Sequence, residues 1–314
     1  MLTRRHIRVK VMQSIYALTQ AEKTDLDKEE KFLSASMENM YNLYLVLLSL
    51  LVEMQKMGAY RLTASGKKYL ATEEEKNPNR KFVDNKVLAL LGNNILLADE
   101  LKNRKLNNWY LDEEYVKVLF KEMEESDFYA EYMSTRTSSF KEDKEFLQDL
   151  YKEVIAPNDK LYDYIEDFNL TWVDDLPLVN TFILKLIRKV KPADNERYFL
   201  PRLFKDEEDR MFSRELFRKT VLNEEVLQKE ISGKTPNWDT DRIAEVDEVL
   251  LKMAICEFLK FPSIPIKVTI NEYLEIAKEY STPKSSIFIN GILDKMVKDF
   301  ESRNKLNKVG RGLM

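Results

Sequence analysis

Three arginines open this chain on one helix flank. Arg4, Arg5 and Arg8 lie in a segment whose apolar residues Ile7, Val11, Ile15 and Leu18 repeat at helical spacing. At about 100° per residue the three guanidiniums fan across roughly 100° beside that stripe, and Tyr16 falls at the edge of the same sector. Guanidinium groups bind phosphate bidentately and stack on bases. An aromatic ring beside them suits single-stranded RNA. A solvated helix start is the alternative reading. Arginines are wrong-signed for the positive end of a helix dipole, which slightly favours a functional reason for their placement.

Phe288 is a second candidate. It lies roughly 100° from the centre of its helix's apolar cluster, so it is either a rim residue of the core or a stacking platform for a base. Lys284, Ser285 and Ser286 precede it and suit phosphate contact. Asp247 and Glu245, with Arg214, form a third group: a solvated acidic face, or a docking surface for a basic protein. Nothing in the chain supports catalysis. Its only histidine, His6, can neither activate Ser285 or Ser286 nor build a histidine-rich metal site. The single cysteine, Cys256, reads as a small buried hydrophobe and excludes an internal disulfide. No cofactor or metal is expected.

These residues need helices to position them. The chain has 314 residues, seven glycines and nine prolines, too little turn chemistry for an all-β fold or glycine-rich nucleotide loops. Thr3 caps a first helix running to about Gln20. A second starts at Asp25 or Asp27, runs through Met37 to Met57, and stops at Gly58. Residues 61–81 read as a linker, with the solvated run Glu73 to Glu75. Periodicity predicts further helices at 82–105, 112–133, 138–155, 158–168, 172–190 and 204–231. A break at Ser232 to Pro236 precedes three more, at 239–260, 269–280 and 284–300, and the tail from Asn304 is expected to fray.

Thr269 and Glu272 have capping-box spacing, and Ile243, Val246, Val249, Leu250, Met253, Ala254 and Leu259 make one stripe. Gly291, mid-helix, suggests a close helix crossing. The longest apolar run, Leu43 to Val52, is about half a membrane span. With no signal sequence apparent, a cytoplasmic protein without membrane association is expected. Net charge is −4, but both ends are basic around an acidic centre.

The wording of these segments resembles the NusB family of transcription antitermination factors. RRxxRxxxxQxxY at the N-terminus supplies Arg4, Arg5, Arg8, Gln13 and Tyr16. VDxxLLKxAxxE (246–257), IPxKVxINExxEIAKxY (264–280) and FINGILDK (288–295) follow in the family's order, with a partial match at FSRELFRKTV (212–221). The resemblance implies an all-α fold of two helical bundles and a non-enzymatic role. That role is binding boxA-type RNA together with ribosomal protein S10 (NusE) in RNA polymerase antitermination complexes on ribosomal RNA operons.

Carried over by residue, it implies an RNA face of Arg4, Arg5, Arg8, Gln13, Tyr16, Lys252 and Phe288, and S10 contacts through Asp247 and Arg214. Lys252 replaces a frequent arginine, and Lys284 stands where members can carry an acid. The family's chains are less than half as long, so an enlarged N-terminal helical region is expected at 1–205, a NusB-like bundle at 206–303, and a flexible tail at 304–314. A second reading makes the chain a protein-interaction scaffold whose helical insertion docks another component of the transcription machinery. A third, an accessory domain of an RNA methyltransferase, lacks the glycine-rich methyl-donor site it would need.

Overall fold

The computed structural model describes residues 1–20, 25–70, 72–232 and 244–313. Among them are helices and connecting turns but no strand, so the fold is all-α. In chain order the α-helices are α1 (Arg4–Gln20), α2 (Leu26–Gly66), α3 (Glu73–Lys76), α4 (Lys86–Gly92), α5 (Ile95–Asn103), α6 (Asn108–Leu111), α7 (Glu113–Glu124) and α8 (Asp127–Met133). They continue as α9 (Phe140–Asp149), α10 (Asp159–Phe168), α11 (Leu176–Lys189), α12 (Glu207–Leu222), α13 (Glu224–Ser232), α14 (Glu245–Lys260), α15 (Ile266–Tyr280) and α16 (Ser285–Ser302).

The chain forms two compact units. One joins Met1–Met37 to Leu203–Met314, and the other is Glu38–Arg202. This differs from a division into 1–205 and 206–303, because α1 packs against α12, α14 and α15. The basic helix is therefore part of the C-terminal bundle, and the Leu2 N–H donates to the Leu203 carbonyl at 2.8 Å.

In the first unit α14 is the central helix. Val249 to Phe258 are buried on every face, as expected of a helix apolar nearly all round, and α1, α12, α13, α15 and α16 pack about it. The expected start of this helix at 239–243, and Ile243 in its stripe, lie outside the described residues. The second unit is built on the α2 stretch Leu43–Leu51, also buried. Trp109 and Trp172 donate indole N–H groups to the α2 carbonyls of Val46 and Asn39, both at 2.8 Å. One 18-residue window of α2 is apolar enough to cross a membrane, but 78% of it is buried inside the protein, as in a core helix.

Several local expectations change. Gly58 does not stop α2, which runs on to Gly66. A Cβ there would meet the Phe82 ring at 3.1 Å, so the glycine serves close packing. Glu73 to Glu75 belong to the short α3, where Thr72 and Glu75 form a capping box. The predicted helices at 82–105, 112–133 and 204–231 each divide in two, and Asn94 and Ser126 cap the second members of the first two pairs.

α15 starts at Ile266, so Thr269 is a buried interior residue rather than a cap. Gly291 is exposed, and a Cβ added there would meet nothing within 4 Å, so no close crossing explains it. The tail packs rather than frays. The Val309 N–H donates to the Pro262 carbonyl at 3.1 Å, and the Lys308 ammonium donates to the carbonyls of Glu257 and Phe261 at 3.3 and 3.0 Å. Lysine at these last carbonyls of α14 satisfies acceptors that helix geometry leaves open.

Candidate RNA-binding face

Thr3 starts α1 through a reciprocal cap with His6. The Thr3 N–H donates to His6 Nδ1 at 3.2 Å, and the His6 N–H points back to Thr3 Oγ1 at 3.5 Å. The ring thus takes the part glutamate plays in a capping box. Accepting an N–H requires an unprotonated Nδ1. Burial and the neighbouring Arg5 lower the His6 pKa below its ordinary value, consistent with a neutral ring.

The three arginines go separate ways from that turn. Arg4 donates from Nε to Asp209 at 2.8 Å and from Nη2 to Glu208 at 2.5 Å, on α12. Arg5 makes a bidentate pair with Glu272 of α15, both bonds at 3.0 Å. Both side chains keep a third or more of their surface exposed.

Arg8 is different. Only 1% of it is exposed, and its Nε and Nη2 donate to Glu257 of α14 at 2.9 and 2.7 Å. Glu257 also accepts from Thr269 Oγ1 at 2.6 Å and the Tyr273 hydroxyl at 3.2 Å. Burial opposes the Arg8 charge, but the Glu257 carboxylate more than offsets it, so the guanidinium pKa is raised. The guanidinium also lies 5.1 Å from the Phe212 ring centre and 5.8 Å from that of Tyr273. Two Arg8 donors thus face the interior, where they tie α1 to α14, while the side chain also lies on the wall of the cavity at the first turn of α1.

Lys252 is buried in a similar way. It is 6% exposed, and its ammonium sits 2.9 Å from both Glu224 and Glu248. Asp247 is also buried and accepts a 2.6 Å hydrogen bond from Ser281, which pins the α15–α16 turn. Arg214 remains largely exposed while paired with Glu30. Gln13 is half-buried, and Tyr16 is at the surface of α1. Phe288 is half-buried in the first turn of α16, and its neighbour Ile287 is 76% exposed. Ile287 was not apparent as a surface residue in the helical pattern.

A cavity of about 1300 Å³ opens at the first turn of α1. Arg4, Arg5 and His6 line it with Lys205, Ser263 and Glu272. Tail residues Val309 and Gly310 form part of its wall. Lys205, Ser263 and the tail lie far from α1 in sequence, so only the folded chain brings them beside the arginines. The cavity offers oriented N–H donors at the positive end of a helix, an arrangement that receives anionic oxygens. Four carboxylates, Asp206, Glu208, Asp209 and Glu272, also line it and limit its net charge.

Comparison with known proteins gives these residues a context. The NusB family model matches residues 180–298. A transcription antitermination protein NusB from Salinibacter ruber is 44% identical over 112 residues, covering 36% of this chain and 70% of that protein. Its counterpart in Chloroherpeton thalassium is 41% identical over 99 residues, 32% of this chain and 47% of that protein. The one in Clostridium kluyveri is 48% identical over 77 residues, 24% and 49% respectively. In two of these three comparisons the chain spans about half the length of the relative.

Proposed function

The chain belongs to the NusB family, and on that premise we propose that it is a transcription antitermination factor that binds boxA-type single-stranded RNA with ribosomal protein S10. It does so in the cytoplasm, as part of an RNA polymerase antitermination complex, by binding and not by catalysis. The observation that carries this reading is the cavity at the first turn of α1, with Arg4 and Arg5 on its wall. Arg4, Arg5, Gln13, Tyr16 and Phe288 contact RNA in this reading. Arg8 and Lys252 act behind that face by holding α1 and α14 in place. Arg214 contacts S10, and Asp247 fixes the turn beside that surface.

The pairing of Arg4 and Arg5 with carboxylates shapes the expected binding. Their charges are largely balanced, so they serve as oriented donors and stacking plates more than as a diffuse positive field. Each guanidinium has five N–H groups and gives two to carboxylates here. The remaining donors suit a few phosphates. The logarithm of affinity should then fall against log salt with a slope of roughly −0.7 per phosphate neutralised.

Fluorescence anisotropy with a boxA-like RNA, with and without S10, at two salt concentrations tests this. Binding that tightens with S10, weakens with salt, and drops in a folded Arg4→Ala/Arg5→Ala variant is the expected result. Phe288→Ala should weaken it by about 1–3 kcal/mol if the ring stacks on a base. No RNA binding with or without S10 at either salt would overturn the reading and favour the scaffold function for the second unit.

A further inference from the structure

In the second unit a series of aromatic rings runs from the core out to the surface. Five rings run in an unbroken series through α6, α7, α10 and the turn after it. Trp109 and Tyr164 are 5.5 Å apart, Tyr115 and Tyr164 4.6 Å, Tyr164 and Phe168 5.8 Å, and Phe168 and Trp172 5.1 Å. The inner members are fixed. Both tryptophans bond to α2, and the Tyr164 hydroxyl donates to Asp112 at 2.9 Å while accepting from Asn108. The outer members and their chain neighbours face water: Tyr110 is 86% exposed, Leu111 66%, Phe168 51% and Leu170 72%. Scattered exposed hydrophobics are ordinary, but several on segments joined by one ring series mark an interaction site.

The charge around this surface is predominantly negative. Residues 108–118 and 159–170 carry Asp112, Glu113, Glu114, Asp159, Asp163, Glu166 and Asp167 against two lysines, Lys117 and Lys160. Lys117 is already paired with Glu113 at 2.7 Å. On α10, Asp163 and Asp167 immediately precede Tyr164 and Phe168, so an acidic flank runs beside the aromatic one. Burial and then the charges of Glu114, Asp112, Asp167 and Asp163 raise the pKa of the Tyr115 phenol, in keeping with a negative field there. Such a field repels the phosphates of an RNA. It favours a partner that brings positive charge together with apolar side chains to cover the rings.

We propose that this acid-rimmed aromatic surface of α6, α7 and α10 docks a lysine- or arginine-rich protein segment that anchors through apolar side chains. The inference is independent of the RNA face, which lies in the other compact unit. Aromatic anchors supply most of the affinity at such interfaces, while rim charges set the encounter rate and salt dependence.

The test uses the full chain and three labelled 16-residue peptides in fluorescence polarisation. One alternates lysines with leucine and tryptophan. The second replaces lysine by glutamate, and the third keeps lysine and replaces the apolar residues by serine. The first peptide should bind, and the others at least tenfold more weakly. Tyr110→Ser/Phe168→Ser and Asp163→Asn/Asp167→Asn should each weaken binding of the first peptide at least tenfold. All four residues are exposed, so these variants should keep the wild-type circular dichroism. Glu207→Gln/Glu301→Gln removes two exposed charges of the other unit and should leave binding unchanged. The proposal is overturned by no binding, by equal binding of the glutamate peptide, or by equal losses in the patch and control variants. RNA affinity should not change in either patch variant.

Discussion

Replacing Arg8 by alanine should strongly destabilise the first unit, whatever it does to RNA binding. Arg8 is 1% exposed, and Glu257 is fully buried. Glu257 accepts two hydrogen bonds from Arg8, one from Thr269 and one from Tyr273. A carboxylate has about four lone-pair positions, so its capacity is full. Without Arg8 the carboxylate remains in the interior with two neutral donors and no salt-bridge partner in contact, only the Lys308 ammonium near its backbone carbonyl. Breaking a buried pair in this way costs about 3–5 kcal/mol. Arg8→Lys keeps a charge but loses the planar fork that meets both oxygens, so it too should destabilise. The partly exposed pairs of Arg4 and Arg5 contribute only about 0–1 kcal/mol each, so alanine there should leave the fold intact.

The assay must separate the two units. Trp109 and Trp172 lie in the second, so fluorescence among the described tryptophans reports the wrong one. Hydrogen exchange followed by mass spectrometry resolves α14 and α15 directly. At about 1.4 kcal/mol per tenfold, protection of their slowest amides should fall roughly 10²- to 10³-fold or more in Arg8→Ala. Peptides from α2 between Leu43 and Leu51 should change far less. If α14 and α15 keep their protection within about threefold while RNA affinity collapses, Arg8 is a direct RNA contact and the buried pair is not what holds this unit together.

Other outcomes follow from the same geometry. The folded His6 pKa is depressed, so as pH falls below its ordinary value the unfolded state takes up the proton first and stability drops. His6→Gln, which keeps an acceptor for the Thr3 N–H, should flatten the loss of α1 protection between pH 7.5 and 5.5. Coincident pH profiles would show that His6 does not cap. A Cβ at Gly312 would lie 1.9 Å from the Pro262 carbonyl oxygen. Gly312→Ala should therefore release the tail and speed tryptic cleavage at Lys305 and Lys308, whereas an unchanged digest would refute that docking. Glu272→Gln removes a charge beside the RNA face and should tighten RNA binding about two- to threefold at low salt; weaker binding would mean that orienting Arg5 matters more than the charge.

Much of the fold was legible because its helices are strongly periodic, and α1, α14 and α16 carry their apolar stripes in plain view. What periodicity could not convey was partnership across long separations. Glu257 stands among apolar residues of α14, a signal that it needed a buried partner. That the partner is Arg8, 249 positions away, emerges only in the folded chain. The partners of Lys252 and Asp247 were hidden for the same reason. A charged side chain on a helix reads as surface until its partners are known, and Glu224, Glu248 and Ser281 lie on other turns or other helices. The unit boundaries were hidden inside α2, where an uninterrupted helical pattern gives composition no break to mark the passage at Met37.

The arginine-rich start of α1 also takes on a different meaning. Positive charge at a helix N-terminus opposes the dipole by about 0.3–1 kcal/mol per residue, which on sequence grounds favoured a role in binding. In the fold this cost is offset locally, because Asp209, Glu208, Glu272 and Glu257 all reach that turn from α12, α14 and α15. Each arginine staples α1 to a different helix. Their burial then grades their roles: Arg8 is fully committed to the core, while Arg4 and Arg5 keep exposed edges and unused donors. A single basic motif thus divides between building the face and presenting it. If α1 contacts RNA as proposed, counting its positive charges would overestimate the attraction and miss the positioning that makes a selective contact possible.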